Sequence, residues 1–339
     1  IKIAKKEYSK GHVEEALDSL YHACALEHLF NFRLKDEEIE NLLQTIAKES
    51  FETIKYSEEE CLLFYDSVAM TNSALSMQYL RVLNDLDCKI VYLVKTMSPD
   101  KQSKGLIDYA NEQGFIVEVV SNDSRNIKGI NFIRNIIQKY QPNNIFLHMS
   151  NDDVYGCIAF SNIESATKFY INHGDEQFWV GTWLFDYILE FRGMGLDASI
   201  RHRGISQEKC IVNPYYPIVK DVDFQGFDFE VPDGKTIIFS GGRFLKVYSE
   251  SAKFMDVIRE ILITHANAFF VFAGSGDEKP MLEYIHKYSL EDRWKVIGYR
   301  SDLLEVMKHV DIYLGTYPQS GALMSQYAAA AGTPLVEMN

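Results

Sequence analysis

The feature that most constrains this chain is a repeated alternation of short apolar runs with amphipathic helical stretches, begun at Tyr56 and again at Thr236. The first series runs through Cys61–Tyr65, Lys89–Val94, Phe115–Val120 and Asn144–Met149, with helical patterns at 72–87, 101–112 and 127–140 between them. Strands that are apolar at successive positions must be covered on both faces. When crossover helices separate them, the sheet they form is parallel. Two more strand-like runs, Lys168–Ile171 and Tyr187–Phe191, bring this series to six strands. The second series follows the turn Pro232-Asp233-Gly234, with strands at Thr236–Ser240, Ala268–Ala273, Trp294–Ile297 and Asp311–Leu314. Helical patterns at 249–264, 278–287 and 301–309 separate them. The fold class is therefore α/β, with two doubly wound, Rossmann-like parallel sheets.

Boundaries fall where the periodicity changes. Residues 1–55 carry only helical spacing: one amphipathic helix from Glu7 to about Leu29, then a second capped by Asp36 and marked by Ile39, Leu42, Leu43 and Ile46. They read as a helical extension, because no repeat period recurs. The first α/β domain then spans 56–220 and the second 221–339, joined by a linker over Pro214–Pro232. The chain stops at Asn339 in a strand-to-loop passage, so the second domain is expected to continue past it.

Composition narrows the partners. A net charge of −14 argues against a broad phosphate-backbone footprint and hence against nucleic acid. Five widely spaced cysteines with no C-x-x-C pair read as free thiols in a reducing compartment. No apolar run approaches membrane-spanning length. These features fit a cytoplasmic protein, with peripheral attachment at the inner membrane face and homo- or hetero-oligomers both compatible with them.

The chemistry is expected at the strand-to-helix turns. Residues Gly315–Gly321 pass from a buried strand through a small-residue turn into an Ala-rich helix, which Gly332 and Pro334 end. Free N–H groups at Ser320, Gly321, Ala322 and Leu323 and a positive dipole end would suit a diphosphate; the plainer reading is an ordinary packing helix. Arg243 offers a planar bidentate donor and Lys246 a point charge, unless both are solvated surface cations. His173, just past a strand, is a candidate general base with Asp175 to orient it, or else a structural loop histidine. Asn151-Asp152-Asp153 reads as capping rather than metal binding. The loop after the first strand, 66–74, has no G-x-G-x-x-G, which disfavours a nicotinamide cofactor.

Four passages lie each just after a strand: Gly241-Gly242-Arg243-Phe244-Leu245-Lys246, Ala273-Gly274-Ser275-Gly276, Gly298-Tyr299-Arg300-Ser301-Asp302 and Ala331-Gly332-Thr333-Pro334. In that order they resemble the C-terminal domain of GT-B fold glycosyltransferases, and the resemblance covers roughly 56–339. The Arg-x-x-Lys spacing is similar to the Gln-x-x-Lys of the O-GlcNAc transferase and bacterial N-glycosyltransferase branch. The passage from Asn172-His173-Gly174-Asp175 to Asp186-Tyr187-Ile188 matches that branch more loosely. The resemblance implies that the second domain binds a nucleotide-diphosphate sugar such as a UDP-sugar, as donor substrate and not as a cofactor. The implied contacts are Gly242, Arg243, Lys246, Gly274, Ser275, Tyr299, Gln319, Ser320, Gly321, Ala322 and Leu323. The first domain would take a glycan or protein acceptor, with His173 and Asp175 as the catalytic pair and no metal. Retaining members carry Glu-x7-Glu where this chain has Gln319 and Tyr327, so inversion is expected. Two other readings are a non-catalytic GT-B subunit supporting a partner transferase and a nucleotide-sugar epimerase.

Overall fold

Apolar strands flanked by helical segments do assemble here into two parallel sheets. The computed structural model describes residues 1–57, 59–69, 73–96, 103–121, 125–214, 216, 222–248 and 252–338, with backbone only at 73, 74 and 322. It divides into two units, Ile1–Tyr215 and Tyr216–Asn339.

Unit 1 contains β1 (Glu59–Asp66), β2 (Lys89–Thr96), β3 (Ile116–Ser121), β4 (Pro142–His148), β5 (Thr167–Asn172), β6 (Tyr187–Glu190) and β7 (Cys210–Val212). Their order is β3-β2-β1-β4-β5-β6-β7, with every pairing parallel. The helices are α1 (Lys2–Ser9), α2 (Val13–Phe30), α3 (Glu37–Ser50), α4 (Ser73–Leu83), α5 (Lys104–Glu112), α6 (Ile127–Tyr140), α7 (Val154–Ala159) and α8 (Gly193–Arg201). The sheet has seven strands where the apolar runs suggested six. β7 escapes notice because it lies at the edge with Ile211 and Val212 exposed, so it is not a buried apolar run.

The N-terminal region also differs from the single helix expected over Glu7–Leu29. Gly11, at φ 82°, breaks it into α1 and α2. As expected, Asp36 caps α3, accepting from the N–H groups of Glu38 and Ile39 (2.8 and 3.0 Å). These helices share a core with the sheet: Leu17, Leu20, Leu43 and Ile46 are buried together with Leu63, Tyr65, Ile145 and Leu147. Strand alternation sends Phe64 and Tyr92 to the opposite face, where they meet Leu80 and Leu83 of α4. Glu40 of α3 is buried and accepts the N–H groups of Gly181 (3.0 Å) and Thr182 (3.2 Å). Burial pushes its carboxyl up to about 7.

Unit 2 contains β8 (Thr236–Arg243), β9 (Ala268–Ser275), β10 (Trp294–Ile297), β11 (Ile312–Leu314) and β12 (Leu335–Val336) in the order β10-β9-β8-β11-β12, again parallel. Helices α9 (Lys253–Thr264), α10 (Lys279–Lys287), α11 (Leu303–Lys308) and α12 (Ala322–Ala331) cover it. Gly332 ends α12 in the left-handed conformation, φ 75°, as its place in the sequence predicts. The second half of the expected linker is part of this unit. Phe224 stacks on His309 (3.8 Å between ring centroids), Phe227 and Phe229 join the same cluster, and Arg300 donates to the Gly226 carbonyl (2.6 Å). Aromatic side chains bury without any periodicity to announce it. Residues 217–221 of that linker lie outside the described residues.

Each sheet has one point where the strand order reverses: β1 beside β4 in unit 1, and β8 beside β11 in unit 2. Ligands of open parallel sheets bind at the C-terminal ends of the strands at such points.

Candidate functional site

In unit 2 the reversal is built largely from backbone. β8 closes with Gly241, Gly242 and Arg243, paired with Ala273, Gly274 and Ser275 of β9. A Cβ on Gly274 would collide with the Gly242 carbonyl oxygen, and one on Gly241 would meet the Ala273 carbonyl oxygen at 2.8 Å. Gly242 itself sits at φ 146°, which an L side chain rarely adopts. After Arg243 the chain makes a tight helical turn over Phe244–Val247, which carries Lys246 toward β11. There Lys246 Nζ donates to the Ser320 carbonyl (3.2 Å), and Gln319 N–H donates to the Lys246 carbonyl (3.3 Å). Thr316 Oγ1 donates to the Gln319 carbonyl (2.6 Å), fixing the turn before α12.

The structure thus brings Gly242, Arg243, Lys246, Gly274, Ser275, Gln319 and Ser320 to one end of one sheet. Among the described residues, the backbone N–H groups of Ser320, Gly321 and Leu323 make no hydrogen bond. They precede or open a helix of ten residues. That arrangement offers donors and a positive dipole end to an anion. Arg243 is exposed and has no ion pair among the described residues. Tyr299 is 75% exposed and close enough to Tyr327 to help raise that phenol, after burial, which is the larger cause. Gln319 is exposed and carries no charge; Tyr327 packs half-buried beside Met324. Of Ala322 only the backbone is described.

Unit 1 solves the same topological problem with side chains. Asp66 ends β1 and His148 ends β4; both are fully buried. His148 Nδ1 lies 3.1 Å from Asp66 Oδ1, and Asp66 also accepts Tyr92 Oη–H (3.0 Å) and Val68 N–H (3.2 Å). His173, one residue past β5, sets its ring 4.9 Å from that of His148 at 88°. Burial, helped by the nearby His148 and His28 rings, pushes His173 down to about 3. His28 reaches this group from α2, with its Nδ1 3.0 Å from the Asn151 amide nitrogen, and Asn151 in turn donates to Gln177 (2.9 Å).

Asp175 does not orient His173 as expected. It takes a two-pronged bond from Arg192, Nε to Oδ2 at 2.5 Å and Nη2 to Oδ1 at 2.7 Å. The guanidinium fork holds both Asp175 oxygens, and among the described residues no hydrogen bond joins Asp175 to His173. Arg203, buried behind the loop, donates to the Asp175 and Gln177 carbonyls (2.8 and 2.7 Å) and further fixes 174–177. Asp153 caps α7 through the Gly156 N–H (3.0 Å) and pairs with Lys95 (3.0 Å), the capping reading of Asn151-Asp152-Asp153. Among the described residues, no three His, Cys, Asp or Glu side chains are grouped to hold a metal, and no helix is long and apolar enough to cross a membrane.

The residues missed in the sequence are Asp66, His148 and His28. One signal was available for two of them: each is a polar residue at or next to the C-terminal end of an apolar strand run, though only the structure shows that the two strands are neighbours. His28 carried none, since only packing of α2 on the sheet brings it near.

Comparison with known proteins matches this fold. The family model described as "Glycosyl transferases group 1" matches residues 221–339. The lipopolysaccharide outer core galactosyltransferase WaaB, in its apo form, superposes with a TM-score of 0.60 at 15% identity over 82% of this chain and 80% of that one. Anabaena HepE, solved with UDP and glucose, gives 0.58 at 14% identity over 82% and 80%. An O-GlcNAc transferase mutant from Thermobaculum terrenum gives 0.56 at 15% identity over 98% of this chain and 67% of that one, a span that takes in the N-terminal helices. No curated protein matches the chain. Residues 221–339 therefore match the glycosyl transferases group 1 family model, and the chain has the fold of the GT-B glycosyltransferases.

Proposed function

We propose that this chain transfers a sugar from a nucleotide-diphosphate donor to a glycan or protein acceptor, with inversion at the anomeric carbon. The observation that carries the reading is a coincidence of place. The group 1 match falls on unit 2, and within that unit the reversal of strand order gathers Arg243, Lys246 and the unpaired N–H groups ahead of α12. Departure of a diphosphate needs its growing charge met by donors already in position. Arg243 and Lys246 supply two such cations, and Ser320, Gly321, Ala322 and Leu323 supply backbone donors. Gly242, Gly274, Ser275 and Tyr299 line the same strand ends. HepE was solved with UDP and glucose, which makes a UDP-sugar the first donor to try on this chain. Gln319 stands where retaining relatives hold a carboxylate, which supports direct in-line attack on the donor.

His173 in unit 1 is the proposed base. Burial holds the ring neutral at physiological pH but leaves it a weak base, so proton transfer to it requires a partner that stabilises the imidazolium. The test of the donor site is calorimetry with UDP. Lys246→Ala should weaken binding by about 1.5–3 kcal/mol, the worth of a hydrogen bond to a charged group. Wild-type affinity in a variant whose circular dichroism is unchanged would remove Lys246 from the site.

The uncharged Gln319 and Tyr327 favour a second reading, a non-catalytic subunit that supports a partner transferase. UDP binding without release of UDP from any UDP-sugar, alone or with acceptor present, would promote it.

A further inference from the structure

The reversal point of unit 1 holds two imidazole nitrogens that are buried and, among the described residues, unpaired. His148, with no exposed surface, leaves Nε2 without a partner; His173, half-buried, leaves Nδ1 without one. A buried polar atom left unpaired costs about 1–3 kcal/mol. Two of them on rings already in edge-to-face contact call for an explanation.

The tautomers follow from the neighbours. Asp66 accepts from Tyr92 and from Val68 N–H, so it presents acceptor oxygens, and the His148 nitrogen facing it must carry the hydrogen. A neutral ring protonated on Nδ1 has a bare lone pair on Nε2. A His173 acting as base through Nε2 must likewise be protonated on Nδ1. Bare Nε2 on His148 and protonated Nδ1 on His173 are a matched acceptor and donor. The other charged and titratable groups nearby are already engaged, Lys95 with Asp153 and His28 with Asn151, while the Ile171 carbonyl also faces the His173 ring and competes with His148 for its N–H. Ser76 lies 3.4 Å from Nδ1 of His148, on the Asp66 side of that ring.

We propose that Asp66 and His148 are positioning residues that hold His173 as the Nδ1–H tautomer, through a hydrogen bond from His173 Nδ1–H to His148 Nε2. The bond is open in this structure, where the two ring centroids stand 4.9 Å apart. His173 Nε2 then takes the acceptor's proton. The acceptor's O–H or N–H bond breaks as Nε2–H forms, and its electron pair makes the new bond to the anomeric carbon. The old carbon–oxygen bond breaks with its electrons on the departing diphosphate. The imidazolium so formed rests against the His148 lone pair, backed by the Asp66 carboxylate. No proton has to reach Asp66. The chemistry, and the choice of Nε2 as the reacting nitrogen of His173, rest on the glycosyl-transfer reading; the His148 tautomer does not.

The experiment is nitrogen-resolved NMR of the histidine rings in the whole chain, read beside UDP release from a UDP-sugar. Wild-type His173 is expected to show the Nδ1–H tautomer, and His148→Phe, which keeps an aromatic ring against Phe64, should shift it to Nε2–H. Asp66→Asn, which preserves shape and frees His148 to reorient, should shift it too and serves if the first variant fails to fold. Both variants should lower turnover by about 10²-fold or more while leaving donor KM unchanged. A wild-type His173 in the Nε2–H form, or a tautomer unmoved by both variants, overturns the proposal. Absence of UDP release in the wild type, with the tautomer shifts present, overturns the reaction and leaves the positioning role standing.

Discussion

Two parallel sheets of one chain end in sites of opposite construction. At the reversal point of unit 2 the strand ends are glycines, the charged side chains are exposed or half-buried, and the donors are main-chain N–H groups. At the reversal point of unit 1 the strand ends are Asp66 and His148, wholly buried, bonded to Tyr92 and set against His173. A backbone site tolerates side-chain change but not added bulk. A buried side-chain network tolerates neither a lost partner nor a lost charge, because each member is the other's replacement for water. The contrast predicts where each unit will break.

The largest effect should come from uncoupling a buried charge in unit 1. Burial by itself would raise the Asp153 carboxyl, but the Lys95 charge, bonds from Lys95 and Tyr65, and the Gly156 N–H together hold it below the ordinary value. Lys95→Met strands that carboxylate and should destabilise unit 1 by about 3–5 kcal/mol in urea unfolding. Arg243→Ala, an exposed cation in unit 2, is the control and should stay within about 0.5 kcal/mol of wild type. Equal losses in the two variants would erase the contrast.

A smaller effect sharpens the comparison through pH. Glu40 has its carboxyl raised from 4.5 to about 7, so the folded state keeps a proton that the unfolded chain releases. Its stabilising contribution is complete below about 4.5 and is lost as pH rises through about 7. Between about pH 5 and pH 8 wild type should lose about 2–3 kcal/mol that Glu40→Gln does not, since the amide oxygen still accepts from Gly181 and Thr182. Parallel pH profiles for the two proteins would show that Glu40 is not buried as a neutral acid.

The smallest effect tests the backbone of unit 2. Gly274→Ala adds one methyl against the Gly242 carbonyl and should cost about 1–3 kcal/mol, with UDP affinity falling further than stability alone explains. A variant as stable as wild type would mean that β8 and β9 can part without consequence.

These differences also govern what could be read without coordinates. The gathering of residues at the unit 2 strand ends was legible because its requirements are local. Gly241, Gly242 and Gly274 are needed where strands meet closely, and Arg243 and Lys246 stand at a fixed spacing within one turn. The unit 1 site was half legible. His173 stood out as a histidine after a strand, but its expected partner Asp175 belongs to Arg192, 17 residues on. Asp66 and His148 are 82 apart in sequence and meet only because β1 and β4 are neighbours.

The sequence by itself determined the two parallel sheets, their crossover helices, the Asp36 cap and the glycine that ends α12, because periodicity, capping and φ preference act over a few residues. Tertiary structure alone decided the strand order, the edge strand β7 and the packing of Phe224 to Phe229 onto unit 2. It also decided which acid meets which histidine. Those outcomes depend on which strands become neighbours and which side chains lose water together, and desolvation is a property of the packed molecule that no local stretch of chain contains.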